Sequence, residues 1–455
     1  MNLAHKIALD PTSDQKAYFR QACGTSRFVW NLAHEEWERR FKAASEAAKT
    51  ASTQAKTKGL KKAATKRFVQ KAIEEVGGWP SSASIKADFN SWKYEALPWL
   101  EGVHRDAHAQ PFSNLQKAYA SYRKGLTKKP KFKKKGKSKD SFYVANDKLR
   151  LEDRTIYFPI VGRVRMREPI RFQGKIMSAT VSRTADKWFV SIAVETQNPR
   201  PVKLKADKTP RRSASITPLK SRRPCAGLDL GLLHLAVTSA GVVYDAPKPL
   251  KSALRKLARL QRSRARRYGA WKASGVKDYS NGLREINLRI AKLHARIASI
   301  RLDFIHKLTT DLCRENQAVV IEDLNVKGMI QNPRLSRAIS DVGWGEIRRQ
   351  LEYKSLIYGT RLVVANRWLP STKKCSRCGV VGPGFPLSQR TFRCGSCGFE
   401  CDRDLNAALN LEQEYRRLDG NLRLRTGRIG RAFHDALQPS LVEAGTGTCP
   451  LVGNV

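Results

Sequence analysis

Apolar and polar positions alternate weakly over residues 2–9, which predicts a short strand. Pro11 and Thr12 then open a helix that carries Gly24, Arg27, Phe28, Trp30 and Asn31 and continues past Phe41. Residues 42–70 are rich in Ala, Lys and Thr and poor in large apolar side chains, the pattern of a solvated helical hairpin or an RNA-facing surface. Trp79-Pro80 and Trp99 punctuate further helix up to about Tyr122. The pattern then changes period. Ser141-Val144, Thr155-Phe158, Arg163-Met166, Ala179-Arg183 and Trp188-Val194 read as strands, with Gly162, Gly174 and Asp186 at turns. A small β-barrel is the economical arrangement. Residues 197–223 are rich in Pro, Lys, Arg and Ser and read as a domain linker.

The second half has a different layout. Residues 224–231, PCAGLDLG, form a buried strand that carries one acid, and His234-Thr238 is its hairpin partner. Leu254, Leu257 and Leu260 begin a basic amphipathic helix. A longer helix places Ile286, Ile290, Leu293, Ile297, Ile300, Phe304 and Leu308 on one stripe, the core face of an antiparallel helical pair. Ala318–Leu324 is an apolar strand that ends in two acids. Trp344–Tyr358 is a helix, Arg361–Ala365 a strand, and Asp404–Arg417 a helix. The tail from Leu418 has weak periodicity, and its last residues read as disordered.

Charge decides the class of partner. The 455 residues include 86 Lys and Arg against 40 Asp and Glu, a formal net charge of +46. Such an excess repels itself unless a polyanion neutralises it, and nucleic acid does so with release of counterions. Ribosomal or histone-like proteins share the charge but are usually shorter and lack a catalytic constellation. Between Arg123 and Lys139, ten of 17 residues are basic and none is acidic, with Phe132 inside the run. That stretch is either a disordered linker or a loop that tracks phosphates. No stretch approaches the ~20 apolar residues needed to cross a bilayer, and the N-terminus shows no signal-peptide pattern. A cytoplasmic, prokaryotic, DNA-associated protein is expected.

The carboxylates supply candidate chemistry. Hydrolysis of a phosphodiester commonly uses two divalent ions ~4 Å apart, held by hard oxygen ligands. The chain must therefore gather acids from distant segments. Asp229 sits in a core strand between Gly227 and Gly231, where a charge is costly unless paired or bound to metal. Glu322 and Asp323 end the second strand and point to opposite faces, so only one can face a shared site. Glu322 is preferred, with Asp323 as the fallback. Asp402 and Asp404 both lie near a helix start, where an acid can simply cap backbone N–H groups. Asn406, two residues past Asp404, is a candidate for holding substrate or a metal-bound water.

Four of the nine cysteines form CxxC-x15-CxxC: Cys375, Cys378, Cys394 and Cys397. Four thiolates at this spacing close a tetrahedral Zn²⁺ shell, which is structural rather than hydrolytic. Gly379, Gly395 and Gly398 supply the turns, and Cys401 is a competing ligand.

These segments together resemble TnpB, the transposon-encoded family of RNA-guided nucleases, and the related miniature type V CRISPR effectors. The resemblance runs through Leu9-Asp-Pro-Thr12, Gln15, Gly24, Arg27 and Asn31 near the start, then through residues 129–133 (KPKFK) and Asp140-Ser-Phe142. It continues in GLDLG at 227–231, IEDLNVKGM at 321–329, NRWLPSTKKCSRCG at 366–379, DRDLNAA at 402–408 and VEAG at 442–445. The Ala/Lys-rich insertion around 42–75, with extra helix to about 110, departs from the family pattern.

The resemblance implies an α+β multidomain protein with three parts: a helical recognition lobe (11–122), a β-barrel wedge domain (1–10 and 123–202), and an RNase H-like (RuvC) α/β nuclease domain. The nuclease domain would comprise 224–369, with a helical hairpin at 250–315, and 401–417. A four-cysteine zinc-binding subdomain (370–400) would be inserted in it, a basic linker (203–223) would precede it, and a tail (418–455) would follow. By resemblance Asp404 rather than Asp402 is the third metal-binding acid beside Asp229 and Glu322, and two Mg²⁺ or Mn²⁺ ions are the catalytic cofactors. Arg27, Asn31, Lys129, Lys131, Phe132, Lys133, Lys134, Lys135, Arg367 and Ser371 are the expected nucleic-acid contacts. Guide RNA and target double-stranded DNA are the expected partners, the protein acting as a monomer or homodimer. Two other readings compete: a non-cutting RNA-guided repressor, which should have lost an acid, and a structure-selective nuclease that works without RNA.

Overall fold

The computed structural model describes residues 1–197, 222–276, 279–384, 386 and 388–425. The larger part of the expected basic linker (203–221) and the VEAG segment of the tail lie outside the described residues. The chain is a multidomain α+β protein with two compact units, Met1–Ala214 with Ala253–Ala298, and Ser215–Ser252 with Ser299–Val455.

The first unit begins with β1 (Asn2–Asp10), α1 (Ser13–Thr57), α2 (Lys62–Glu75), α3 (Ser82–Ala96) and α4 (Arg105–Arg123). Six strands follow: β2 (Ser141–Ala145), β3 (Arg150–Glu152), β4 (Thr155–Phe158), β5 (Gly162–Met166), β6 (Lys175–Thr184) and β7 (Lys187–Glu195). A capping box starts α1: the Thr12 hydroxyl accepts from the Gln15 amide, and the Gln15 side chain accepts from the Thr12 amide. The Gln15 side chain also donates to the Arg163 carbonyl at 2.7 Å, which ties the helix start to β5.

The strands form one seven-stranded sheet in the order β2-β6-β7-β1-β5-β4-β3. Phe19 of α1 lies 5.6 Å from Phe142 on β2, at one end of that order, and 5.8 Å from Phe158 on β4, near the other. The sheet must therefore curl around Phe19, and residues from all these strands except β3 share one buried core. The strands read from alternation recur within a residue at each end, except that β6 begins four residues before Ala179 and β3 is an additional strand.

The second unit opens with β8 (Ala226–Asp229), β9 (Ala236–Thr238) and β10 (Val243–Tyr244). Helices α5 (Pro249–Ala273) and α6 (Asn281–Glu315) follow, and their residues 253–298 count with the first unit. Next come β11 (Ala318–Ile321), α7 (Val326–Met329), α8 (Ser336–Val342), α9 (Trp344–Tyr358) and β12 (Arg361–Val364). The chain then forms β13 (Thr391–Arg393), β14 (Glu400–Asp402) and α10 (Arg403–Arg425). The main sheet runs β10-β9-β8-β11-β12, with β8, β11 and β12 parallel. Their carboxyl ends therefore lie together, where open α/β sheets place their ligands.

Two expectations are corrected. Ile300 is 39% exposed, because the buried stripe of α6 shifts to Ile305, Leu308 and Leu312 while Arg301 reaches Asp341 at 2.8 Å. Arg222, assigned to the linker, is buried and donates to the carbonyls of Cys313 and Tyr358.

Candidate functional site

Asp229 is the last residue of β8, and its side chain is unusually dry for a carboxylate, at 8% exposure. Among the described residues, no hydrogen bond or ion pair engages its carboxylate. Burial pushes its pKa well above the ordinary carboxylate value, and the neighbouring acids Glu322 and Asp404 push it further. Glu322 follows β11, whose parallel register pairs Ile321 with Leu228, so one step on it lies beside Asp229. The Ser371 hydroxyl donates to Glu322 at 2.6 Å and fixes its direction.

Asp323 points the other way, as strand alternation requires. Arg348 and Arg367 both bind it and hold its pKa below the ordinary value. It is thus neutralised outside the cluster.

The helix start separates the last two acids. Asp402 accepts from the amides of Asp404 and Leu405 at 2.9 and 3.0 Å, so it is the N-cap of α10. Asp404, in the first turn, is buried and acts on Asp229 more strongly than Asp402 does. Gly227 makes this geometry available. A Cβ there would lie 2.0 Å from the Ala408 carbonyl oxygen, so only glycine lets α10 rest directly on β8. Asp229 shares a strand face with Gly227, and Asp404 lies one helical turn before Ala408.

The donor set suits divalent cations: three hard carboxylates, one desolvated and unpaired. Their oxygens are not gathered within 4.8 Å of one another, since among the described residues only the cysteines form such a group. A two-ion site does not need closer packing. With ions ~4 Å apart and oxygen ligands at ~2.1 Å, oxygens on different ions are separated by up to about 8 Å.

The four cysteines do converge. Sγ of Cys375 lies 3.7 Å from that of Cys397, and Sγ of Cys378 lies 3.6 Å from that of Cys394. A tetrahedral shell with metal–sulfur bonds of ~2.3 Å has sulfur–sulfur edges of about 3.8 Å, so the cluster can hold a metal ion such as zinc. Gly379 and Gly398 adopt φ of +80° and +69° and form the knuckle turns, whereas Gly395 needs no left-handed backbone. Cys401 stands outside the group and pairs with Phe392 across the β13–β14 ladder.

Asn406 is fully buried. It accepts from the Ser376 amide at 3.0 Å and donates to the Lys374 carbonyl at 2.8 Å. Asn410 donates to the carbonyls of Ser371 and Lys374. The expectation that Asn406 holds substrate or water is therefore corrected. Both amides clamp the first cysteine knuckle to α10, a role that the asparagines' i, i+4 spacing signals only once the helix is known.

The expected nucleic-acid contacts divide. Arg27 pairs with Asp140 at 2.9 Å, and Asn31 exchanges two hydrogen bonds with the Lys133 backbone. Trp30 donates to the Lys131 carbonyl at 3.1 Å, Lys133 lies over the Trp30 ring, and Lys129 pairs with Glu38. The basic run is thus an ordered strap on α1, with Lys131, Phe132, Lys134 and Lys135 exposed. Ser371 is buried with its hydroxyl on Glu322, and Arg367 is tied to Asp323.

Comparison with known proteins finds family models that match three stretches of chain. Residues 1–46 match the family model described as a helix-turn-helix domain, although they hold β1 and part of the single helix α1. Residues 191–333 match OrfB_IS605, described as a probable transposase, and residues 344–411 match the Cas12f1-like TNB domain. A Streptomyces pristinaespiralis protein named "Putative RNA-guided DNA endonuclease" is 33% identical over 372 residues, covering 81% of this chain and 83% of its own. "Putative RNA-guided DNA endonuclease InsQ" of Escherichia coli K12 is 29% identical over 423 residues, covering 90% of this chain and 91% of its own. "TnpB-like protein L79" of Acanthamoeba polyphaga mimivirus is 28% identical over 134 residues, covering 28% of this chain and 25% of its own. With this similarity spread over most of its length, the chain belongs to the TnpB family.

Proposed function

We propose that this protein is an RNA-guided DNA endonuclease that hydrolyses phosphodiesters at a single RuvC-type site formed by Asp229, Glu322 and Asp404. Asp229 carries the reading. A buried carboxylate that has no hydrogen bond or ion pair among the described residues, faces two other acids and is only partly offset by the Arg403 charge is poorly stable as an anion until a divalent ion arrives. The names of the full-length relatives support the substrate and the guide.

Mg²⁺ or Mn²⁺ ions, when bound, would supply an activated water and stabilise the leaving oxygen. Asp229 and Asp404 hold the ions from strand and helix, and Glu322, oriented by Ser371, completes the ligand set. Arg348 and Arg367 keep Asp323 out of that set. The cysteines hold a structural zinc ion, and Asn406 and Asn410 pass its rigidity to the start of α10 and hence to Asp404. The exposed side chains of the basic strap meet phosphates and unstacked bases. The curled sheet serves as the wedge and the helices as the recognition lobe, while guide pairing reads the target sequence.

Asp229→Ala is expected to bind guide RNA and matched target as the parent does and to cut nothing. Cleavage by that variant at the parent rate would overturn the assignment.

A further inference from the structure

Trp368 is 85% exposed, the most exposed large hydrophobic side chain among the described residues. It is not on a loose segment. The residue before it, Arg367, is bound to Asp323, and its own amide donates to the Asn366 side chain at 2.9 Å. The Leu369 amide donates to the Asn366 carbonyl at 3.0 Å, and Ser371 bonds Glu322. The turn that displays the indole is thus tied at both ends to the adjacent acids Glu322 and Asp323. It borders a shallow open cleft of about 550 Å³ at the carboxyl ends of the parallel strands, lined by Arg348, Asn366 and Arg367 as well as Trp368.

An indole held with its faces in water gains apolar stabilisation only when something covers it. The ligand with a flat π-face and a negative backbone is a nucleotide strand, and the two arginines of the cleft outnumber its one acid, Asp323. Bases in a duplex have their faces covered, so only an unpaired base can stack here.

We infer that Trp368 is a stacking platform for one base of the single-stranded DNA segment presented to the carboxylate site, acting as a positioning residue for the scissile phosphate. The inference rests on the nuclease reading above. The displaced strand and an unwound stretch of the guide-paired strand offer the same chemistry.

The test uses the full chain with its guide RNA under single-turnover conditions. Trp368→Ala is expected to slow cleavage about tenfold or more, with target binding unchanged in the absence of divalent ions. Trp368→Phe should keep most of the rate. An abasic nucleotide, moved one position at a time through each strand near the cut, should slow the parent at one position and leave Trp368→Ala no slower. The strand carrying that position identifies the source. Parent-rate cleavage by Trp368→Ala, or abasic and Trp368→Ala effects that multiply at every position, would overturn the inference while the nuclease reading stands. A parent complex that cuts no guided target would remove both.

Discussion

Gly227 on β8 and Ala408 on α10 meet backbone to backbone: a Cβ on Gly227 would lie 2.0 Å from the Ala408 carbonyl oxygen and 2.7 Å from the Glu412 amide nitrogen. The contact sets how close the helix carrying Asp404 approaches the strand carrying Asp229. Ala407 and Ala408 are fully buried there, so the helix side is also stripped of bulk.

Gly227→Ala should therefore act on two links at once. The added methyl cannot be absorbed by a flexible side chain, because its neighbours are backbone. Thermal melts are expected to show a loss of about 3 kcal/mol, and cleavage should fall further than the fold loss explains, because Asp404 moves away from Asp229. Parent stability and parent activity together would contradict the close approach.

Asn406→Ala removes its two hydrogen bonds to the first knuckle and leaves the Ser376 amide short of a partner, while Asn410 still donates to the Lys374 carbonyl. The expected cost is about 2 kcal/mol. Metal analysis should still find one zinc per chain, since all four thiolates remain, whereas cleavage should drop. Loss of the zinc itself would place Asn406 within the metal site's own assembly rather than between that site and the acids.

Asp229→Asn should stabilise the protein in chelator. The amide removes a desolvated charge and its repulsion from Glu322 and Asp404, a gain of about 1–2 kcal/mol of the kind seen when functional strain is relieved. Adding Mg²⁺ should raise the melting temperature of the parent and not that of the variant. A variant less stable than the parent in chelator would show that the Asp229 carboxylate is paired after all.

His108 offers a pH test outside the site. It is buried against Phe89 and Tyr94, and burial lowers its pKa from 6.5 to about 4, with Lys93 and His104 adding to the effect and Asp106 opposing it. Between those values the unfolded chain binds the extra proton and the folded chain does not. The stability contributed by the neutral ring is thus full above pH 6.5 and lost as pH falls toward 4. Denaturant titrations should find this acid loss smaller in His108→Phe. Equal slopes for parent and variant would remove His108 as the cause.

Strand and helix periods were readable from residue patterning, and so were the cysteine spacing and the isolated acid of β8. Trp344–Tyr358 emerges as a helix with the expected limits because its apolar spacing and flanking glycines agree. The choice between Asp402 and Asp404 was not readable from chemistry, because both stand where an acid can cap a helix. Only the bonds from the Asp404 and Leu405 amides single out Asp402 as the cap. Ser371 and Asn406 pose a related difficulty: a polar residue in a motif reads as a ligand contact until its burial and partners are known. Ile300 fell off the core stripe because Arg301, which periodicity counts as polar, turns inward to reach Asp341.

The most direct test of guided cleavage at this carboxylate site begins with the RNA that co-purifies with the protein. Rebuilding that RNA with a new guide segment and supplying a matching duplex with Mg²⁺ should move the cut to the new target. The cut should vanish in Asp229→Ala and in chelator. Cleavage that ignores the guide, or that persists in Asp229→Ala, would contradict the account.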